Sequence, residues 1–402
     1  CNGFGAAISF VNSGANAVRH TVITRNAGAG IRSVGSSGNS LESCVIWSNS
    51  SHSISLQNSE IGVSNSVLYA SGVSNMCYYT QTNGQIRANH NILFITNLAP
   101  VGNVVGVPMV ALPQWNMATT QDLHSLVADP LFAAPHALDF HLLSAEGRFD
   151  PVLGGYVYTD AVTSVLIDSG SPESVYANEP SPNGARRNVG LFGNTVEASK
   201  SRTNAWVLAL TARSGGRLEG IVYLTWNAVN VDPTNTVKLD FSPDNGATWT
   251  NITAGAGISV TNRFYLWNSA QKNPDYSEVW PSTPLARWKV AVEADASLCS
   301  TAGPFALRNR PFTYFINDNS TNGDVYCTAV GNDTNLGFFP HIPKATLKNG
   351  LQTWDVVGED TIFVDTGTYL ITTNDQTSWG AEDAGSAGKP VLMTGNTNAF
   401  VS

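Results

Sequence analysis

Apolar and β-branched residues recur every 22 to 25 residues through the first hundred positions of the chain. The recurrences form three series that keep the same phase. They comprise Ile8, Ile31, Ile54 and Cys77; Val18, Leu41, Val63 and Ala88; and Val22, Val45, Val67 and Ile92. Each period therefore carries three short apolar segments, separated by turns rich in Gly, Asn and Ser.

This spacing predicts a solenoid in which each period forms one coil of three β-strands. A single coil buries almost nothing, but stacked coils pair each strand with its copy about 4.8 Å away and align the apolar residues into a core. Helical repeats have longer periods, of roughly 33 to 47 residues. The alternative interpretation is an ordinary β-sandwich whose spacing is accidental.

Three later segments carry a family resemblance: "DPLFAAPHALDFHLLSAEGRFDP", "LIDSGSP" and "NEPSPNGARRNVGLFGNT". With the coils before them, they resemble the right-handed parallel β-helices of the pectate-lyase-like superfamily in large bacterial surface and secreted proteins. The resemblance implies that residues 1–197 are the later coils and C-terminal cap of such a helix. Side chains expected to hold the cap's turns are Asp129, Asp139, Asp168, Asn183 and Asn188. A structural Ca²⁺ held by some of them is left open.

Strict alternation of apolar and polar residues begins after residue 198, in "TVKLDF" and "RWKVAVE". The residues predicted to face inward are Val237, Leu239, Phe241, Trp288, Val290 and Val292, and those predicted to face outward are Lys238, Asp240, Lys289 and Glu293. Such strands over residues 198–312 favour a β-sandwich of the immunoglobulin or fibronectin type III kind. The segment "SPDNGATW" resembles the Asp-box of sialidase propellers, but a single copy predicts only a hairpin around Gly246.

The region 313–402 resembles the start of another β-helix of the same superfamily. Residues 344–354 predict a short amphipathic helix with Leu347, Leu351 and Trp354 on one face, and the resemblance implies that it caps the solenoid. The segment "DTIFVDTGTY" is then the first coil. The predicted architecture is all-β: a right-handed parallel β-helix split across the two termini, plus a sandwich.

The two halves of the β-helix complement each other when "TGNTNAFVS" is followed by "CNGFGAAISF". We therefore expect copies of the chain to meet head-to-tail, by peptide linkage or by strand addition. The residues predicted at this junction are Cys1, Phe4, Ile8, Phe400 and Val401. The alternatives are a fragment of a large surface protein with two different β-helices, and a single chain whose open ends pair with nothing.

The amino-acid composition indicates which partners and which cellular location to expect. The chain is 42 % apolar but only 13 % charged, with a net charge of −9, so a nucleic-acid partner is not expected. The sequence contains no run of 18 apolar residues, so no membrane span is predicted. Few lysines and abundant Ser, Thr and Asn favour an extracellular or cell-surface location.

Cysteines and aromatic residues offer two further candidate features. The five cysteines show no metal-ligand spacing. A disulfide between Cys299 and Cys327, which would fix the junction after the sandwich, is left open. Trp267, Tyr276 and Trp280 lie in or near a loop where aromatic rings could stack on sugars. Packing in the core is the alternative for these rings.

Catalytic residues are not evident in the coils. Residues 1–100 contain no Asp, and their carboxylates, Glu42 and Glu60, have no partner at a glycosidase spacing. We therefore predict a structural repeat of an extracellular filament or surface adhesin, with other copies as partners, no cofactor and no enzymatic activity. The alternative is a secreted module that binds or degrades polysaccharide, in which Arg32 and Arg87 could hold a uronate.

Overall fold

The computed structural model describes residues 5–253, 255, 257–270, 280–354, 356–369, 385, 388–396 and 399–401, with the side chains of Phe400 and Val401 outside the description. The described residues belong to two compact units. The first unit comprises residues up to 279 together with 285–306, and the second comprises 280–284 and residues from 307 onward. Within the described ranges, regular structure is almost entirely β, as predicted.

The first unit begins with a parallel β-solenoid of four coils. Its strands are β1 (Ala6–Val11), β2 (Ala17–Arg19), β3 (Val22–Thr24), β4 (Ala29–Val34), β5 (Asn39–Glu42), β6 (Val45–Trp47), β7 (Ile54–Gln57), β8 (Glu60–Ser64), β9 (Val67–Ser71), β10 (Tyr78–Thr80), β11 (Gln85–Asn89) and β12 (Ile92–Thr96). Every third strand is hydrogen-bonded, giving the sheets β1-β4-β7-β10, β2-β5-β8-β11 and β3-β6-β9-β12. The predicted solenoid is thus confirmed.

The register of the coils agrees with the predicted series at all but one position. The second and third series pair in the predicted order, and Ile8, Ile31 and Ile54 pair in the first. The fourth member of the first series is Tyr78, which pairs with Ile54, and not Cys77 as predicted. The step from Val67 to Tyr78 is two residues longer than that from Val45 to Ile54, and the step from β7 to β9 is one residue shorter than its counterpart one coil earlier, so Tyr78 lies 24 residues after Ile54.

Polar side chains also stack from coil to coil, in the turns. The side-chain amide of Asn16 donates to Oδ1 of Asn39 at 2.9 Å, and that of Asn26 donates to Oδ1 of Asn49 at 2.8 Å. Both pairs are 23 residues apart. The same Oδ1 atoms also accept the backbone N–H groups of Asn16 and Asn26. The asparagines thus bond to turn backbone groups that sheet pairing leaves without a partner.

A hairpin and a helix that the sequence did not predict close the far end of the solenoid. They are β13 (Gly102–Val104), β14 (Val107–Met109) and α1 (Leu112–Thr119), followed by β15 (Leu126–Val127) on β12. Trp115 stacks on Tyr78 with ring centroids 5.1 Å apart and is 1 % exposed. Gly102 permits this closure, because a Cβ there would lie 2.8 Å from the indole of Trp115.

Two antiparallel hairpins and a long irregular segment follow. The hairpins are β16 (Phe132–Ala134) with β17 (Asp139–Leu142) and β18 (Arg148–Asp150) with β19 (Gly155–Val157). Along one solenoid sheet, Trp47 stacks on Tyr69 at 4.7 Å and on Phe94 at 5.6 Å. Phe132 and Phe140 pack edge-on against Trp47, so the first hairpin covers this aromatic row.

Two sheets with antiparallel pairings follow. Their strands are β20 (Trp206–Ala209), β21 (Arg217–Leu218), β22 (Ile221–Val229), β23 (Thr236–Ser242), β24 (Thr250–Asn251), β25 (Ile258–Ser259), β26 (Phe264–Asn268), β27 (Thr283–Val292) and β28 (Cys299–Leu307). The sheet orders are β20-β22-β26 and β21-β28-β27-β23-β24, with β25 also on β23. All six residues predicted to face inward are at most 1 % exposed. Asp240, predicted to face outward, is only 4 % exposed because Lys238 and Lys289 lie over it at 3.5 and 3.4 Å.

The Asp-box-like segment is a hairpin, as predicted. Asp244 accepts hydrogen bonds from the backbone and hydroxyl of Thr248 at 2.8 and 2.6 Å. Gly246 has a positive φ of 97° and donates its N–H to the hydroxyl of Ser242. The segment has a complete local hydrogen-bonding role, which explains its composition without a catalytic function.

The second unit contains further parallel pairings. Its elements are β29 (Thr313–Ile316), α2 (Leu347–Thr353), β30 (Thr361–Val364), β31 (Gly367–Tyr369), β32 (Leu392–Gly395) and β33 (Ala399–Val401). The parallel sheets are β29-β30-β32 and β31-β33. Helix α2 is shorter than predicted and begins after Thr346, whose hydroxyl accepts the N–H of Asn349. No helix in the described part of the chain is long and apolar enough to cross a bilayer.

Candidate assembly surfaces

The first coil of the solenoid presents three strand edges. Strands β1, β2 and β3 each pair with the following coil on one side, and no described strand pairs with their other side. Ile8, Val18 and Val22 on these strands are half-buried, whereas their counterparts in the next coil are at most 1 % exposed. The apolar interior therefore reaches the surface at this first-coil edge.

The second unit presents a comparable edge at β32 and β33. Each strand pairs on one side with an earlier strand, and no described strand pairs with the other side. Leu392 is 55 % exposed and Met393 is 48 % exposed. A cavity of about 760 Å³ lies here, lined by Val364, Tyr369 and Met393 among others. This last-coil edge combines open backbone with exposed apolar side chains.

The predicted junction residues are only partly located by the structure. Ile8 lies on the first-coil edge, as expected. Cys1 and Phe4 fall outside the described residues. The backbones of Phe400 and Val401 belong to β33, where they pair with Thr368 and Tyr369, but nothing is described of their side chains.

The carboxylates of the coils are ion-paired. Glu42 lies between Arg19 at 3.1 Å and Arg187 at 2.8 Å, and Glu60 accepts from Arg87 at 2.6 Å. The pairs with Arg19 and Arg87 join neighbouring coils, and the pair with Arg187 joins a coil to the cap segment. Glu42 and Glu60 therefore have structural partners, a role that the sequence spacing did not show.

The remaining predicted sites have structural surroundings. Trp267 and Trp280 are 3 % and 4 % exposed, so neither ring is available to stack on a sugar, and Tyr276 lies outside the described residues. Cys299 and Cys327 are both free. The disulfide that the sequence left open is not formed: Cys299 is exposed, and the buried thiol of Cys327 faces the carbonyl of Ile316 at 3.7 Å.

Four of the five residues predicted to hold the cap's turns make side-chain to backbone hydrogen bonds, whereas Asp168 bonds to a side chain. Asp129 accepts from the N–H of Leu131, and Asp139 from that of His141; Asn183 and Asn188 accept in the same way from nearby backbone, and Asp168 accepts from the Ser201 hydroxyl. No group of three His, Cys, Asp or Glu side chains in the described part of the chain could hold a metal ion. Hydrogen bonds within the cap are joined by bonds to the coils, where the side chain of Asn65 accepts the N–H of Ser171 at 2.7 Å.

Two carboxyl groups of the cap are buried. Burial raises the pKa of Glu179 to about 7 and that of Asp168 to about 6. Oε1 of Glu179 accepts the backbone N–H groups of Asn188 and Asn194, at 2.8 and 2.7 Å. Glu179 therefore organises the loop, but its charged form is disfavoured there.

The raised pKa of Glu179 predicts that acid stabilises the cap. Because the folded state binds the proton more tightly than the unfolded state, the free energy of unfolding falls as pH rises from about 4.5 to about 7, by roughly 2–3 kcal/mol. Glu179→Gln keeps the acceptor oxygen, so it should flatten this dependence in urea unfolding at pH 5 and pH 8. Glu173→Gln, at an exposed position of the same segment, is the control. An unchanged slope in Glu179→Gln would contradict the prediction.

A groove of about 950 Å³ lies beside the last coil and is lined by the β10–β11 turn and the β13–β14 hairpin. Tyr79 in this groove stacks on His52, with ring centroids 4.1 Å apart. Gln81, Arg87 and Asn103 add polar groups to its wall. None of the described residues that line it is Asp or Glu.

No protein-family model matches this chain, and no curated protein or solved structure matches it. Its function therefore has to be inferred from the surfaces described above.

Proposed function

We propose that the chain is a structural subunit of an extracellular filament or surface adhesin. In this proposal the first-coil edge of one copy stacks on the last-coil edge of another and completes a right-handed β-helix of the pectate-lyase-like kind. The two antiparallel sheets then form an immunoglobulin- or fibronectin-like spacer between successive helices. The observation that supports the proposal is that the described strands of one chain include two open parallel edges. One of them lacks a preceding coil, and the other lacks a following coil.

The two edges are complementary in the direction that a solenoid requires. Each coil pairs with a preceding and a following coil; β1, β2 and β3 lack the preceding one, and β32 and β33 lack the following one, among the described strands. Open strand edges with apolar side chains promote association. Complete burial of a side chain such as Leu392 or Met393 contributes about 1.5–3 kcal/mol. A head-to-tail contact that does not close produces a filament.

Blocking each edge separately tests this arrangement. Ile8→Asp places a charge on the first-coil edge, and Met393→Asp places one on the last-coil edge. We expect the unmodified chain to form concentration-dependent rods with a constant repeat in negative-stain images. In sedimentation velocity, the fraction of assembled protein should be at least tenfold lower for each variant alone than for the unmodified chain. An equimolar mixture should form a single dimer, because one intact edge of each kind remains.

The control is Leu153→Asp, at a 73 % exposed apolar position in the turn between β18 and β19, which should assemble normally. Circular dichroism checks that each variant is folded, and Met393 is exposed enough to accept a charge without unfolding. The proposal fails if the unmodified chain stays monomeric at high concentration. It also fails if folded Met393→Asp assembles as the control does.

The second candidate function is polysaccharide binding, which the groove beside Tyr79 supports. A monodisperse chain that binds pectin or alginate, and loses this binding in Tyr79→Ala, would favour it over the filament. Filaments that ignore both polymers would favour the first proposal.

A further inference from the structure

Four basic side chains from distant parts of the sequence meet inside the first unit. His90 follows β11, His124 precedes β15, Arg186 belongs to the irregular cap segment and Arg263 precedes β26. The rings of His90 and His124 stack, with centroids 5.1 Å apart. Both arginines lie close enough to lower the pKa of each histidine. The cluster therefore joins the solenoid, the cap and the sandwich.

The positive charge of this cluster resides on its two arginines. Burial lowers the pKa of His90 to about 2 and that of His124 to about 4, so both imidazoles are neutral near pH 7. The His124 ring bonds to the backbone of Arg263, and the His90 ring bonds to that of Ser169. The histidines thus position the cluster, and the guanidinium groups supply its charge.

Several donors of the cluster have no partner in the described part of the chain. Arg186 is only 3 % exposed; its Nε donates to the carbonyl of Gly170 at 2.6 Å, but Nη1 and Nη2 are both buried without a hydrogen bond. Nη1 of Arg263 is in the same situation. A buried charged donor without an acceptor costs more free energy than a neutral one, so these three N–H-bearing atoms require an acceptor.

Asp168, the carboxylate whose charge acts on Arg186, does not supply that acceptor. Asp168 acts on Arg186 only through its charge, which raises the pKa of Arg186 less than burial and Arg263 lower it. Its Oδ1 accepts the hydroxyl of Ser201 instead. Burial and the charge of Arg263 together lower the pKa of Arg186 to about 9. Water could accept the free N–H groups, but it would leave the repulsion between the two guanidinium groups in place.

We propose that Arg186 and Arg263 bind a small inorganic oxyanion, such as phosphate or sulfate, at this junction. Guanidinium groups donate in pairs to the oxygens of a tetrahedral anion, in a geometry that single waters do not reproduce. The anion would neutralise the two like charges and accept from Nη1 and Nη2 of Arg186 and Nη1 of Arg263. Arg263 is half-buried, which gives the anion access from solvent. The bound anion would join the solenoid, cap and sandwich.

The test is a calorimetric titration of the whole chain with inorganic phosphate, at an ionic strength held constant with chloride. We expect one saturable site per chain. Arg263→Gln should weaken binding at least tenfold, and Arg263→Lys should retain part of the affinity because it keeps the charge. Lys238→Gln removes a positive charge from the same sandwich at a more exposed position and should bind phosphate normally.

Hydrogen exchange provides an independent readout. Phosphate should slow exchange in both the 184–190 and the 263–268 segments of the unmodified chain, and in neither segment of Arg263→Gln. Absence of saturable binding to phosphate and to sulfate would overturn the proposal, since water alone would then fill the site. Equal affinity in folded Arg263→Gln would also overturn it, because the anion would then bind elsewhere.

Discussion

Trp115→Ala is expected to lower the free energy of unfolding of the solenoid by about 4 kcal/mol, within the range for buried Trp-to-Ala changes. The indole fills the end of the core against Tyr78, and its Nε1 donates to Oδ2 of Asp122 at 3.1 Å. The alanine variant would leave a cavity and would remove one donor from a carboxylate that is 1 % exposed. Urea unfolding followed by hydrogen exchange in β7, β10 and β13 measures the loss.

Two further variants separate the contributions to this loss. Trp115→Phe keeps most of the ring but not the N–H donor, so it should cost about 1–2 kcal/mol. Trp249→Ala removes a half-buried indole from the Asp-box-like hairpin and should leave the exchange of β10 unchanged. A loss below 1 kcal/mol in Trp115→Ala would show that helix α1 does not close the core.

The coils were predictable because one physical requirement repeats at constant spacing. Stacked strands place equivalent residues one period apart, so the spacing of Val22, Val45 and Val67 predicts that they pair. The asparagine pairs in the turns, such as Asn16 with Asn39, share the 23-residue spacing and could have been found in the same way. A prediction of this kind fails only where a loop changes length, as it does before Tyr78.

The end closure and the basic cluster were not predictable, for two different reasons. Helix α1 is eight residues long and is not part of the repeat, so no periodic pattern in the sequence predicts it. Arg186 and Arg263 lie together only when the irregular segment after β19 and the two antiparallel sheets pack on the coils, and no sequence spacing encodes that contact. Sequence periodicity thus locates the scaffold, whereas the features that interrupt it require the three-dimensional structure.

The two ends of the solenoid differ in how well their apolar residues are covered. At the far end, Trp115 and the β13–β14 hairpin cover the last coil, so apolar residues there are buried by the chain itself. At the first-coil edge, Ile8 and Val18 stay half-buried, although the same residue types are buried one coil away. The proposed head-to-tail contact rests on this contrast within one solenoid.

The second unit depends on one buried carboxylate in the same way as the solenoid depends on Trp115. Asp365 is 0 % exposed and accepts the backbone N–H groups of Val325, Tyr326 and Cys327, at 2.8, 2.7 and 2.5 Å. Burial raises the pKa of Asp365, but these three bonds and a fourth from the N–H of Thr366 together lower it by more. The pKa therefore lies below the ordinary value for Asp. The carboxylate therefore holds the loop before α2 in its charged form.

Asp365→Ala is expected to destabilise the second unit by about 4 kcal/mol, because four backbone N–H groups, that of the buried Cys327 among them, would lose their acceptor. Asp365→Asn should cost about 2–3 kcal/mol despite its shape, since its amide N–H₂ would face donors. Urea unfolding followed by hydrogen exchange in β29 and β30 measures both effects. Asn332→Ala removes an exposed turn acceptor for the N–H of Thr334 and should cost less than about 0.5 kcal/mol.

The pH dependence of Asp365 has the opposite sign to that of Glu179. A depressed folded-state pKa stabilises the fold above the unfolded value of about 4, and this stabilisation is lost as pH falls through the folded pKa. The difference between the unmodified chain and Asp365→Ala should therefore shrink below about pH 4. A difference that stays constant to pH 2 would mean that packing, and not the charged acceptor, holds the loop. Since acid strengthens the cap of the first unit through Glu179, the two units should respond to acid in opposite directions within one chain.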